Sequence, residues 1–278
     1  MIDTHLHLWR LDNGWYGWNT PDLGAVHADS TVGDIADAMD RHGVTAAVAV
    51  QAADTLAETD WLLSQAAHEP RLAGVVGYLP VGAPAELEAA IAAYAGTALV
   101  GVRRLWHDLD HPGELATPAS VRGLRLLGEA GLPVDVPDAH PALWPALYDA
   151  VRQAPATTFV IDHCGKPPFG RAAAWTDWER AIREVAGRQH VIVKLSGLFG
   201  GSGSASPATD DELARVVALT REVAGAERTM IGSDWPMTRG RLDYGQTMAR
   251  LDRLLAGWSA TEREQALTGT ARTVYRLG

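Results

Sequence analysis

The first nine residues, Met1-Ile-Asp-Thr-His-Leu-His-Leu-Trp9, carry two histidines one residue apart. Read as a β-strand, the stretch puts His5 and His7 on one face while Ile2, Leu6 and Leu8 leave the opposite way. Two imidazoles projected together from a strand end can grip a metal ion or polarise a carbonyl. A hydrogen-bonded pair in the core fits the same spacing, so any chemistry depends on partners from elsewhere in the chain. Two candidates stand out. The apolar run Thr-Phe-Val-Ile leads into Asp162 and His163, and Thr-Met-Ile-Gly-Ser leads into Asp234. His5, His7, His163 and Asp234 would together supply three nitrogens and one carboxylate. That set suits one divalent ion such as zinc with an open position. It equally suits a metal-independent site in which imidazoles hold a substrate carbonyl and Asp234 takes a proton from water. On sequence alone both readings stand.

For four residues so far apart to meet, the chain needs a scaffold that returns repeatedly to one place. Apolar runs predict strands over 1–9, 44–50, 72–79, 98–105, 132–136, 157–161, 191–195 and 228–232. Helical periodicity fills the gaps over 31–43, 59–68, 85–94, 121–130, 141–153, 175–186, 211–223 and 244–257, with a last helix over 261–276. Unbroken apolar strands alternating with helices call for a parallel sheet covered on both faces. Eight such units in 278 residues, near the roughly 250 typical of the fold, predict an α/β chain closed into a (β/α)8 TIM barrel. No linker divides it, so a single domain over 1–278 is expected, with 199–207 as one long βα loop.

The active site of such a barrel lies at the C-terminal ends of the strands. Those ends carry His5 and His7, Gln51, Arg103 and Arg104, Asp135, Asp162 and His163, Lys194 and Ser196, and Asp234. Polar residues gathered at one end of apolar strands are hard to explain by packing, because each must be desolvated. Lys194 has two readings, a donor to substrate or an inward lysine paired with Asp162 or Asp135. Trp9, Trp15, Tyr16, Trp18, Trp106 and Trp235 fall at strand ends or in the first loop, where rings suit a pocket rim or cap the barrel. Ser233 lacks a nucleophile elbow, and the one cysteine, Cys164, reads as inert packing.

A net charge of −10 without basic runs argues against nucleic acid and anionic membranes as partners. One cysteine excludes a disulfide framework, and no apolar run reaches the roughly 18 residues that span a bilayer. With the first strand beginning at the second residue, no room is expected for a signal peptide, and a cytoplasmic setting follows. Oligomeric state is not legible.

The order of His-x-His on strand one, His on strand six and Asp on strand eight resembles the amidohydrolase superfamily. The segments His5-Leu-His-Leu-Trp9, Val50-Gln-Ala52, Gly101-Val-Arg103, Ile161-Asp-His-Cys-Gly-Lys-Pro167, Val193-Lys-Leu-Ser-Gly197 and Gly232-Ser-Asp-Trp-Pro236 are similar to its sugar-lactonase branch. Members of that branch hydrolyse sugar lactones such as L-fuconolactone and L-rhamnonolactone, or 2-pyrone-4,6-dicarboxylate. The resemblance implies a hydrolase of carbohydrate catabolism that opens a small-molecule lactone. His5, His7 and His163 would hold a metal or the carbonyl, and Asp234 would activate water. Arg103 would bind substrate, with Arg104, Gln51, Lys194, Trp106 and Trp235 as further substrate contacts. Binuclear relatives carry a lysine on strand four and a histidine on strand five. Arg103-Arg104 and Asp135-Val-Pro stand there instead, which disfavours a second metal, although His140 lies just beyond strand five. Arg104 and Cys164 depart from the lactonase pattern and weaken transfer of the exact substrate. A lactone isomerase using the same residues, or a metal-dependent decarboxylase, is the alternative the superfamily offers.

Overall fold

A computed structural model describes residues 1–137, 139, 141–199 and 207–278. Eight strands form in chain order: Ile2–Leu6 (β1), Ala46–Val50 (β2), Leu72–Gly77 (β3), Leu99–Arg103 (β4), Val134–Val136 (β5), Phe159–Ile161 (β6), Val191–Leu195 (β7) and Thr229–Ile231 (β8). Every pairing is parallel and each strand lies beside its neighbour in sequence. The seam between β8 and β1 closes through backbone. The Asp234 amide donates to the His5 carbonyl and the His7 amide to the Trp235 carbonyl, each at 2.7 Å. The expected barrel is what this chain builds.

Helices Ala36–Arg41 (α1), Leu56–His68 (α2), Pro84–Ala93 (α3), Pro118–Ala130 (α4), Trp144–Gln153 (α5), Trp175–Ala186 (α6), Asp210–Ala224 (α7) and Tyr244–Leu254 (α8) run between or after the strands. Their starts are written locally. Thr209 and Glu212 form a reciprocal capping box on α7, as do Asp243 and Gln246 on α8. No helix among the described residues is long and apolar enough to cross a membrane.

The strands are apolar on both faces because both are buried. Leu6, Ala49, Val75, Val102, Phe159 and Ile231 pack outward under the helices. Val48, Val50, Val76, Val160, Ile192 and Met230 form a second cluster, joined by Ala271 and Tyr275 from the C-terminal helix Thr270–Tyr275 (α10). Each fully buried valine or isoleucine contributes roughly 1.5–3 kcal/mol.

Several boundaries differ from the sequence reading. The first strand ends at Leu6, so His7 stands one residue past it. Ile2 packs in the second cluster with Val48 and Val50 instead of facing away from His5, because pairing with β2 shifts register between Asp3 and Leu6. The helix expected over 31–43 begins as a separate 3-10 turn, Val32–Asp34, and becomes α-helical only at Ala36. The helix expected over 261–276 is three pieces: Ala260–Glu264 (α9), a wide π turn at Gln265–Gly269, and α10. The expected loop over 199–207 lies largely outside the described residues, as does His140.

Candidate active site

His5 and His7 meet first. Their Nε2 atoms stand 3.2 Å apart, and both side chains are buried. His7 Nδ1 lies 2.8 Å from the Val50 carbonyl, an oxygen that can only accept, so the proton sits on Nδ1 and the lone pair on Nε2. His5 Nδ1 lies 3.2 Å from Asp162 Oδ1, which assigns the same tautomer. Burial pushes the His7 pKa down to about 3, helped by the Arg103 charge. Burial also takes His5 well below the ordinary histidine value. Two neutral rings thus aim lone pairs at each other, an arrangement that a cation or a shared proton between them relieves.

His163 and Asp234 complete the cluster from across the barrel. Asp234 Oδ1 is 3.5 Å from His7 Nε2, 3.8 Å from His5 Nε2 and 3.9 Å from His163 Nε2. Strict alternation would send the neighbours Asp162 and His163 to opposite faces. The backbone at His163 is left-handed, with φ of 54°, and this turns its ring inward beside that of His5, with centroids 4.6 Å apart. Asp234 is left-handed too, at φ 58°. Such non-glycine conformations cost about 1–3 kcal/mol each and gather at functional sites. Ser196 Oγ accepts the His163 amide at 3.2 Å and meets its Nδ1 at 2.9 Å. A β-carbon at Gly197 would stand 2.5 Å from that Nδ1, so only glycine lets His163 sit there.

Beneath the imidazoles lies an ionic floor. Lys194 Nζ is 2.5 Å from Asp135 Oδ2 and 2.9 Å from Asp162 Oδ1, with all three side chains fully buried. Burial opposes the lysine charge, but the two carboxylates outweigh it and hold its pKa above the usual value. Burial would likewise raise Asp162; Lys194, His5 and Arg103 overcome this and keep it well below the carboxylate range. Arg103 Nη1 donates to Asp162 Oδ2 at 3.2 Å and stands 3.4 Å from His5 Nε2, while Nη2 donates to the Gln51 carbonyl.

The remaining expected contacts divide. Gln51 is buried at the end of β2. Its Nε2 donates to Asp54 and to the Arg103 carbonyl, and its Oε1 has no partner among the described residues. Of the two readings for Lys194, the structure shows the inward ion pair with Asp135 and Asp162, the side chain fully buried. Arg104 points away from Arg103, pairing with Glu114 at 2.5 Å and standing 3.7 Å from Asp54, as the next position on a strand should. Trp106 is fully buried in the outer core. Trp235 packs edge-on to Tyr244 with Arg239 over its ring. Among the first-loop aromatics, Trp9 and Tyr16 are buried against Ala52 and Ala53, while Trp18 remains 37% exposed.

Sequence reasoning treated Asp162 mainly as a partner for Lys194, whereas it touches His5, Lys194 and Arg103 together. Strand parity was the available signal. It missed Tyr275, whose hydroxyl donates to Asp135 at 2.9 Å from the far end of the chain, and Glu58, which accepts the Ala52 and Ala53 amides and fixes the loop after Gln51. Nothing local in the sequence marks either residue.

A family profile described as amidohydrolase matches residues 2–277. The chain belongs to the amidohydrolase family. This amidohydrolase is 30% identical over 285 residues to an L-fucono-1,5-lactonase of Burkholderia multivorans, covering 99% of this chain and 96% of that protein. It is 31% identical to an L-fucono-1,5-lactonase of Burkholderia ambifaria, over 99% of this chain and 95% of the relative. A crystal structure of an amidohydrolase from Burkholderia multivorans with bound zinc superposes with a TM-score of 0.89 at 29% identity, covering 100% and 99% of the two chains.

The donor set of the present amidohydrolase fits a divalent ion. A tetrahedral ion with bonds of about 2.0–2.1 Å spaces its ligands roughly 3.3 Å apart; here the His5 and His7 Nε2 atoms are 3.2 Å apart and Asp234 Oδ1 stands 3.5 to 3.9 Å from the three histidine Nε2 atoms. His5, His7 and Asp234 group as ion-holding donors without rearrangement. Each histidine Nδ1 is engaged by a carbonyl, a carboxylate or a hydroxyl, the outer-shell pattern that orients metal-binding imidazoles.

Proposed function

We propose that this protein is a lactonase that opens a sugar (aldono) lactone by attack of water on the ring carbonyl. One observation carries the proposal: three imidazole Nε2 atoms and one carboxylate converge at the mouth of the barrel, with Asp234 Oδ1 within 4 Å of all three. The two relatives named as L-fucono-1,5-lactonases support a lactone as substrate. L-Fucono-1,5-lactone is the first compound to test.

His5, His7, His163 and Asp234 would hold one divalent ion, zinc being the natural choice for this ligand set. Bound there, it would supply Lewis-acid polarisation of the carbonyl. The protein's own groups do the rest. Asp234 accepts a proton from water as the oxygen adds to the carbonyl carbon. Arg103, 3.4 Å from His5 Nε2, contributes positive charge where the tetrahedral oxyanion develops. The carbon–ring-oxygen bond then breaks, Asp234 returns its proton to the departing oxygen, and a hydroxy acid leaves. Gln51 Oε1, buried and with no partner among the described residues, would accept from a substrate hydroxyl that reaches it.

The test is acid release. Hydrolysis of the lactone at neutral pH liberates one proton per turnover, read with an indicator dye, whereas an isomerase acting on the same compound releases none. The parent protein should acidify L-fucono-1,5-lactone or a related aldonolactone, and Asp234→Asn should not. Isomerisation without acid, or Asp234→Asn turning over at the parent's rate, sinks the proposal.

A further inference from the structure

The Lys194 ammonium sits in a nest built for a cation. It touches Asp135 Oδ2 at 2.5 Å and Asp162 Oδ1 at 2.9 Å, and it lies 3.3 Å from His5 Nδ1. Its ammonium also stands 5.6 Å over the Tyr275 ring, whose hydroxyl bonds both Asp135 oxygens at 2.9 Å. Every one of these side chains is at most 1% exposed. Two carboxylates and a phenol around one point, sealed from water, make up an oxygen-rich set that a divalent ion also favours. Here a residue of the chain fills it. The nest is not an isolated acidic cluster, because Asp162 faces two ways: Oδ1 toward Lys194 and His5 Nδ1, Oδ2 toward Arg103.

We propose that Lys194 is a positioning residue whose tethered ammonium takes the place of a second cation beneath the imidazoles, and so holds the protein to at most one metal ion. The idea rests on the single-ion reading above only for the count in the parent protein. Lys194 acts through others: it supplies one fixed positive charge to Asp135 and Asp162, and Asp162 Oδ1, 3.2 Å from His5 Nδ1, in turn orients that ring. A shorter, neutral side chain leaves two buried carboxylates facing space with no counter-charge but Arg103 among the described residues, and a divalent ion from solution is the available replacement.

The experiment compares metal content per chain in the parent protein and in Lys194→Ala. Both are stripped with chelator, then equilibrated with zinc or with manganese, and metal is counted by mass spectrometry after removal of the free ion. Lys194→Ala is expected to hold one equivalent more than the parent, and Asp135→Asn/Lys194→Ala to lose that extra equivalent. Because the readout is a difference of one, it does not depend on whether the parent binds one ion or none; a parent that binds none refutes only the single-ion reading. Equal metal content in folded Lys194→Ala and parent overturns the proposal. So does a Lys194→Ala chain that stays unfolded at every metal concentration, since an ion that takes the vacated nest should restore the fold. The parent supplies an independent check. Two equivalents of manganese in the unmodified protein, with the exchange-coupled spectrum of a close pair, contradict a nest filled by lysine.

Discussion

Replacing His7 with glutamine should make the metal-free protein less sensitive to acid, by an amount that follows from burial. In the folded chain burial first, and the Arg103 charge second, hold His7 at about 3. In the unfolded chain it titrates near 6.5. A folded pKa below the unfolded one means that the unfolded state takes up a proton the native state refuses. The stabilising term is fully present above the unfolded pKa and drains away as pH falls from about 6.5 toward 3. Between about pH 7.5 and 5.5, one such histidine removes RT ln 11 less RT ln 1.1, about 1.4 kcal/mol. His5 acts with the same sign. Glu58 acts against both: burial pushes its pKa up to about 7, although the Ala52 and Ala53 amides pull it down. Its protonation over the same range returns about 1.8 kcal/mol. The parent's net slope is therefore a small difference of opposing terms, and only the comparison with a variant isolates His7. Glutamine keeps an N–H for the Val50 carbonyl and cannot titrate. Urea unfolding in chelator at about pH 7.5, 6.5 and 5.5 gives the free energies. The parent should lose about 1.4 kcal/mol more than His7→Gln across that span. Parallel curves would falsify the assignment, because a His7 that protonates normally in the folded state cannot be a desolvated neutral ring with its lone pair turned inward.

Three further outcomes follow from the geometry. Asp234→Asn should lower turnover of an aldonolactone by about 100-fold or more, the usual worth of a positioned base, with thermal unfolding little changed; a stable variant of near-parental rate contradicts the role. Ser196→Ala removes the oxygen that meets His163 Nδ1 at 2.9 Å. Turnover or metal affinity should drop about 10- to 100-fold while KM for the lactone moves little, and steady-state kinetics with a metal titration decides it. Gly197→Ala puts a methyl 2.5 Å from the same ring nitrogen at a backbone φ of +62°, so both stability and turnover should fall, the former by about 2 kcal/mol. Parental unfolding and rate in Gly197→Ala would show that the ring does not sit where it is placed.

What could be read in advance was whatever the sequence encodes with a short period. Apolar runs such as Val44 to Val50 and Val191 to Leu195 announced strands, and their alternation with helices announced the barrel, because burial on both faces leaves no other pattern. The four convergent residues were legible because strand ends of a barrel must meet. Boundaries were less so. The strand that carries His5 stops before His7, and Ile2 packs on an unexpected side because the register shift between Asp3 and Leu6 is a property of the β1–β2 pairing and not of β1 itself. Glu58 and Tyr275 left no mark at all: each acts through a contact made only once the chain has closed, Glu58 on the loop after β2 and Tyr275 on Asp135, 140 residues away in sequence.

Two features of this site oppose folding, and a ligand would relieve one of them. His163 and Asp234 are held left-handed, and His5 and His7 are kept neutral with their lone pairs facing. At about 1–3 kcal/mol for each strained residue, the metal-free protein carries a load comparable to a good part of a domain's stability of about 5–15 kcal/mol. Barrel packing supplies the rigidity that sustains it: Gly197 and Ser196 hold His163, the ionic floor holds His5, and the Val50 carbonyl holds His7. A cation at the four donors relieves the lone-pair repulsion directly, so binding energy and folding energy become the same quantity there. The most stable form of this chain should accordingly be the metal-bound one, and its stabilisation should grow by about 1.4 kcal/mol for each tenfold rise in free ion above the dissociation constant.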